Sequence, residues 1–183
     1  MCRSNELCPL TFLFGGSASG KSAAAEELAG AGPGPRFYIA TMEPYGEDGR
    51  RRIARHRQMR ADKGFETIER YTDLENLILP AKGTALLECL GNLAANEMFS
   101  PAGAGPEGAL GAILRGVEQL RRQCARLVVV GNDVFSDGVE QYESSTRQWI
   151  AVMAQAHRQL ARQADRVCET VCGIPLWQKG AAE

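Results

Sequence analysis

The sequence predicts an α/β fold with a mostly parallel sheet, and two features carry that prediction. Short apolar runs alternate with longer amphipathic or polar stretches from one end of the chain to the other, the pattern of strands joined by helices. The run cores TFLF, FYIA, ALLE, LVVV and VCETV are short and rich in β-branched or aromatic residues, as strands buried on both faces are. With 183 residues, 44% apolar and 23% charged, the chain has the size and composition of one globular domain spanning 1–183.

In chain order, the first strand is expected at Leu10–Phe14 and is followed by a glycine-rich turn and a helix over Lys21–Ala29, which the breaker AGPGP at 31–35 ends. A second strand, Arg36–Thr41, leads to a basic helix over Asp48–Lys63, and a third, Glu66–Arg70, to a short helix over Asp73–Leu79. The fourth strand, Thr84–Cys89, feeds a helix over Leu90–Phe99. The loop SPAGAGPEG then separates that helix from another over Glu107–Cys124. The fifth strand is Arg126–Gly131 and the sixth Arg166–Val171; between them a helix over Ser144–Ala164 sets Trp149, Ile150, Met153, Leu160 and Ala164 in one apolar stripe.

The turn after the first strand carries the chemistry. Gly15, Gly16, Ser17, Ala18, Ser19, Gly20, Lys21 and Ser22 fit G-x-x-x-x-G-K-[ST] without mismatch, between an apolar strand and the helix former AAAEELA. Glycines let successive backbone N–H groups turn inward, the helix N-terminus adds positive potential, Lys21 neutralises β- and γ-phosphates, and Ser22 can hold Mg²⁺. A nucleoside triphosphate is the natural ligand, and the fold is therefore of the P-loop NTPase type. Glu88 ends an apolar strand, where a carboxylate either meets the metal or its water shell or is a plain strand-end residue.

Two histidines are present. His56 lies in RRRIARHRQMR, and Arg52, His56 and Arg60 share a helix face at spacings of four. Clustered cations disfavour imidazolium, leaving a neutral nucleophile among groups that grip phosphate oxygens; a solvated basic helix is the other reading. His157 sits beside the apolar stripe and is expected to be packed and hydrogen-bonded.

Cysteines fall at 2, 8, 89, 124, 168 and 172, with no CxxC pair, so reduced thiols are expected, Cys168 and Cys172 being same-facing residues of a buried strand. A net charge of −1 removes the global electrostatic case for nucleic-acid binding. No 18-residue apolar run suggests a membrane span, and the start MCRSNELCPL lacks a long apolar run, so a cytoplasmic location is expected.

Taken together, GGSASGKS, FYIAT, RRIARHRQMR, FETIE, LLECL with Asn96 following, and ADRV…GIP…K resemble the bifunctional adenosylcobinamide kinase/adenosylcobinamide-phosphate guanylyltransferase family, over about residues 10–179. The resemblance implies phosphorylation of adenosylcobinamide by ATP or GTP, transfer of GMP to adenosylcobinamide phosphate, Mg²⁺, and a homotrimer. It implies that His56 is the guanylylated histidine and Arg57 and Arg60 contact the nucleotide. It further implies a nucleotide segment starting at Thr41 and nucleotide-contacting acids at Glu69 and Glu88. The chain departs from the family pattern at Ala61 and Phe65, in the stretch Asn132 to Gly138, and at His157. A monofunctional small-molecule kinase and a nucleotide-dependent regulator are the alternative functions.

Overall fold

The computed structural model describes residues 7–60, 63–136, 138 and 141–180, without the side chains of Asp48, Arg52, Arg55, His56, Arg57, Met59 and Arg60. Its elements in order are β1 (Leu10–Gly15), α1 (Lys21–Gly30), β2 (Arg36–Ala40), α2 (Gly46–Arg60), β3 (Phe65–Glu69), β4 (Thr84–Glu88), α3 (Leu90–Phe99), α4 (Gly105–Gln123), β5 (Arg126–Asn132), α5 (Ser144–Gln163), β6 (Arg166–Val171) and β7 (Ile174–Lys179). The strands form one sheet in the order β3-β2-β4-β5-β1-β6-β7, all parallel except β7. The expected α/β architecture is the observed one.

Apolar side chains bury both faces of the central strands, which is why their sequences read as continuous apolar runs. Successive residues point to opposite faces. Phe12, Leu87 and Val129 pack under α3, α4 and α5, in a core that includes Leu93, Ile113, Val117, Met153 and Leu160. Leu13, Leu86, Val128, Val130 and Cys168 pack with Ala25 and Ala29 of α1 on the other face. Of the apolar stripe foreseen on α5, Ile150, Met153, Leu160 and the capping residue Ala164 are buried, and Trp149 packs against the core from its edge.

Three expectations need correction. The helix expected over Asp73–Leu79 is a single 3₁₀ turn, Leu74–Asn76, followed by extended chain from Leu77. There Leu77 and Leu79 are buried and Ile78 is exposed, an alternation of period two. Gln123 replaces the missing helical bonds: its Nε2 donates to Leu77 O at 2.8 Å and its Oε1 accepts from Leu79 N at 2.9 Å.

Cys172 is not on β6 with Cys168. It is exposed, and it forms with Gly173 the two-residue turn of the β6–β7 hairpin, at φ of 50° and 81°. Two positive φ values are what a type I′ hairpin turn requires, and glycine takes the second without strain. This hairpin adds β7, a strand with no counterpart among the expected elements.

His157 is packed as expected, but the hydrogen bonding expected of it is not seen at its Nε2. It is 9% exposed, edge-on to Phe12 at 4.9 Å and to Phe135 at 5.1 Å, and its Nε2 has no hydrogen-bond partner among the described residues. Burial lowers its pKa to about 4, the Asp133 charge opposing the shift. The ring is therefore neutral at physiological pH.

Candidate nucleotide site at the carboxyl ends of the strands

β1 runs into the phosphate loop and the loop into α1, so the first turn of a helix faces the space beyond the sheet. Gly20 caps α1 at φ 88°, in the left-handed region that favours glycine. Gly15 is required for a different reason: a Cβ there would stand 2.5 Å from Thr170 O and 2.6 Å from Ser19 Oγ. Ser19 N donates to Gly16 O at 3.3 Å, and Lys21 Nζ donates to Gly16 O at 2.9 Å, holding the ammonium over the loop.

Two neighbours fix this loop from either side. Gly15 pairs in register with Asn132 of β5 and Thr170 of β6. Beyond those partners, Asp133 N donates to Gly15 O at 2.9 Å and Gly173 N donates to Ser19 O at 2.8 Å. The hairpin turn that places Gly173 is thus a direct support of the loop.

The predicted Ser22, at the start of α1, and Glu88, at the end of β4, come together although β5 lies between β1 and β4. Ser22 Oγ donates to Glu88 Oε1 at 2.5 Å. The other carboxylate oxygen, Glu88 Oε2, is buried without a partner among the described residues. An anionic oxygen taken from water with no donor calls for a cation, and a serine hydroxyl with a carboxylate is a hard-oxygen donor pair suited to Mg²⁺. The residues present therefore fit the ion.

Thr41, expected to open the nucleotide segment, is wholly buried. Its Oγ1 donates to Cys89 O and accepts from Cys89 N, each at 2.8 Å, and its backbone N donates to Glu88 O at 3.1 Å. The residue clamps the end of β2 to the end of β4 and so fixes Glu88. Asn96 secures the same corner from α3, donating to Thr41 O at 2.8 Å and Tyr71 O at 3.0 Å.

Glu69 pairs in register with Ala40, and Ala40 with Glu88, so the two predicted acids flank β2 about 10 Å apart along the sheet. Glu69 is exposed and accepts from Tyr71 Oη at 2.8 Å. It borders a cleft of about 430 Å³ lined by Arg70, Tyr71, Thr72, Asp73 and Ala102.

The backbone of α2 carries His56, Arg57 and Arg60 as the sequence predicted, on a helix of Gly46–Arg60. Their side chains lie outside the described residues. Asp133, whose peptide touches the loop, lies in the stretch Asn132 to Gly138 that departs from the family pattern, but no role was read for it from sequence; a further signal was its place immediately after the apolar run of β5.

A strand, a glycine-rich loop closed by lysine and serine, and a helix, with a carboxylate from a second strand on that serine, define a nucleoside triphosphate-binding protein of the P-loop class. The family model for cobinamide kinase / cobinamide phosphate guanyltransferase matches residues 11–177, and the chain belongs to this family. It is 29% identical over 171 residues to the bifunctional adenosylcobalamin biosynthesis protein CobP of Pseudomonas aeruginosa, covering 92% of this chain and 96% of that protein. It is 30% identical over 178 residues to the bifunctional adenosylcobalamin biosynthesis protein CobU of Salmonella typhimurium, covering 90% and 97% respectively.

Proposed function

We propose that the protein phosphorylates adenosylcobinamide with ATP or GTP and then transfers GMP from GTP to the product, through a guanylyl group carried on His56. The observation that carries the reading is the junction of Ser22 with Glu88 beside the phosphate loop, in a chain matched to the kinase/guanyltransferase family over nearly its whole length.

In the kinase step, Lys21 and the amides of Gly15 to Ser22 hold the β- and γ-phosphates and stabilise charge on the group in transit. Ser22 and Glu88 would hold Mg²⁺, which supplies further neutralisation of the phosphate charge when bound. In the transferase step, neutral His56 attacks the α-phosphorus of GTP. A P–N bond forms, the bond to the bridging oxygen breaks, and pyrophosphate leaves with the electron pair. A phosphate oxygen of adenosylcobinamide phosphate then displaces the imidazole and takes the GMP.

Arg57, Arg60, Glu69 and the segment from Thr41 are the remaining nucleotide contacts in this reading, and the working form is a cytoplasmic homotrimer. Incubation with α-labelled GTP and Mg²⁺ followed by intact-mass measurement tests the transferase half. The expected result is an acid-labile, base-stable gain of one GMP. A protein that turns over GTP with adenosylcobinamide phosphate and never carries the adduct would defeat the covalent route. Light scattering tests the trimer.

A further inference from the structure

The kinase reading leaves open which group takes the proton from the acceptor hydroxyl, and the surroundings of the phosphate loop narrow the choice. Among the described residues the other carboxylates near the carboxyl ends of the strands are otherwise engaged or remote: Glu43, beyond β2, accepts from Ser100 Oγ at 2.9 Å, and Asp73, beyond β3, is ion-paired with Arg70. Glu88 is engaged by Ser22. Glu69 belongs to β3, at the far edge of the sheet from β1. Glu169 lies within β6, opposite Phe14, and accepts from Gln178 at 3.4 Å.

Asp133 differs from all of these. It follows β5, the strand that pairs directly with β1, and its peptide N–H is bonded to the first residue of the loop. Its carboxylate accepts from two neutral donors, Phe135 N at 3.1 Å on Oδ1 and Ser136 Oγ at 2.8 Å on Oδ2. Each oxygen keeps a further lone pair. Among the described residues no lysine or arginine is ion-paired with it.

The nearby basic group is His157, which is buried against Phe12, Phe14 and Phe135. That ring is held neutral by burial and so does not supply a cation to Asp133. The result is a partly exposed carboxylate on a residue whose backbone is bonded to the phosphate loop, with lone pairs in reserve to accept a proton.

We propose that Asp133 is the general base of the kinase step and accepts the proton of the acceptor hydroxyl as phosphoryl transfer proceeds. The inference rests on the kinase reading above. The hydroxyl oxygen forms a bond to the γ-phosphorus, the bond from that phosphorus to the β–γ bridging oxygen breaks with its electron pair leaving on the nucleoside diphosphate, and the hydroxyl proton passes to the Asp133 carboxylate. A positioned base of this kind contributes about 10²–10⁴-fold.

The test uses Asp133→Asn, whose amide oxygen can still accept from Phe135 N, together with Ser136→Ala, which removes a turn contact and leaves the carboxylate. Transfer from γ-labelled ATP to adenosylcobinamide and capture of GMP from α-labelled GTP are measured in each. Asp133→Asn is expected to lose about 100-fold or more in kinase kcat, with nucleotide KM within about threefold and GMP capture at the parental level. Ser136→Ala is expected to keep kinase kcat within about fivefold. Asp133→Asn kinase within about fivefold of the parent overturns the proposal. So does loss of GMP capture in Asp133→Asn, or a kinase loss in Ser136→Ala as large as in Asp133→Asn, because either shows that the aspartate only shapes the turn. A parent that captures GMP and forms no cobinamide phosphate defeats the kinase reading itself, and Asp133 as its base with it.

Discussion

The phosphate loop and helix α2 are built on opposite principles. The loop is tied down at four points, by Gly16 O accepting from Ser19 N and Lys21 Nζ, Gly15 O from Asp133 N, and Ser19 O from Gly173 N. In α2, by contrast, no described residue is buried; Arg50, Arg51, Ala54 and Gln58 are exposed and Ile53 is half-buried. Its described ion pair, Arg51 Nη2 to Glu47 Oε1 at 3.0 Å, joins side chains that are 72% and 74% exposed, a type of contact that adds little stability. The described side chains of α2 bury little and so gain little from packing. The difference teaches that this fold preorganises the loop that grips phosphate, whereas α2, the element on which we propose the nucleophile lies, has described side chains that stay largely outside the core.

If that division is real, the two chemistries separate by mutation, and the largest effect falls on α2. His56→Asn is expected to abolish covalent GMP capture while phosphorylation of adenosylcobinamide survives. His157→Asn should retain the adduct. Intact mass after GTP incubation reads both, and an adduct that survives in His56→Asn would remove α2 from the transferase step.

Lys21→Ala should strike both activities, since the proposed function has both nucleotides use one loop. Hydrogen bonds to charged groups are worth about 1.5–3 kcal/mol, so at least a tenfold to hundredfold fall in kcat/KM is expected for kinase and guanylylation alike. A folded Lys21→Ala protein that loses one activity alone would mean that the loop serves one reaction only.

Gly15→Ala tests the rigidity of the loop itself. The added methyl meets the backbone carbonyl of Thr170 as well as Ser19 Oγ, so the loop or β6 must shift, a strain of about 1–3 kcal/mol. Weaker triphosphate binding by calorimetry, with a lower melting temperature, is the expected pair of results.

The mildest test concerns His157, which ties the floor of the loop to the turn after β5. Its pKa in the folded protein is about 4, against about 6.5 in an unfolded chain. Between those values the unfolded state binds more protons, so stability rises with pH and is lost as pH falls from about 6.5 toward 4. The contribution is at most about 3 kcal/mol. Urea midpoints at pH 7.5, 6 and 5 should fall more steeply for the parent than for His157→Leu, the carboxylates being common to both. Parallel slopes would show that the ring is solvated.

How much was legible in the sequence follows the same divide. Strands buried on both faces announce themselves by apolar runs, and the loop by glycines, lysine and serine at fixed spacing, so β1, β4, β5 and α1 were readable within a residue or two. The stretch Asp73–Leu79 misled because Leu74, Leu77 and Ile78 fit a helical spacing. The bonds that hold it extended come from Gln123, far away in sequence, which no local pattern reveals. β7 was missed because Pro175 argues against a strand; as the outermost strand of the sheet, β7 can carry it. The useful signal was Cys172-Gly173, a two-residue turn between runs that can pair. The meeting of Ser22 with Glu88 was half visible: sequence named both residues, but only the strand order brings α1 across β5 to β4.

The strand order also bears on how the molecule comes into being. β1 is an early strand of the chain, yet its partners are β5 and β6, and the backbone of Leu10 is bonded to the Asp165 side chain, 155 residues away. During synthesis the phosphate loop therefore emerges long before the strands that flank it. Parallel pairing between such distant segments is slow, and exposed apolar strands awaiting partners are prone to aggregate. The β1 strand, with its run of Leu10, Phe12, Leu13 and Phe14, is the segment a chaperone would have to shield until β6 leaves the ribosome.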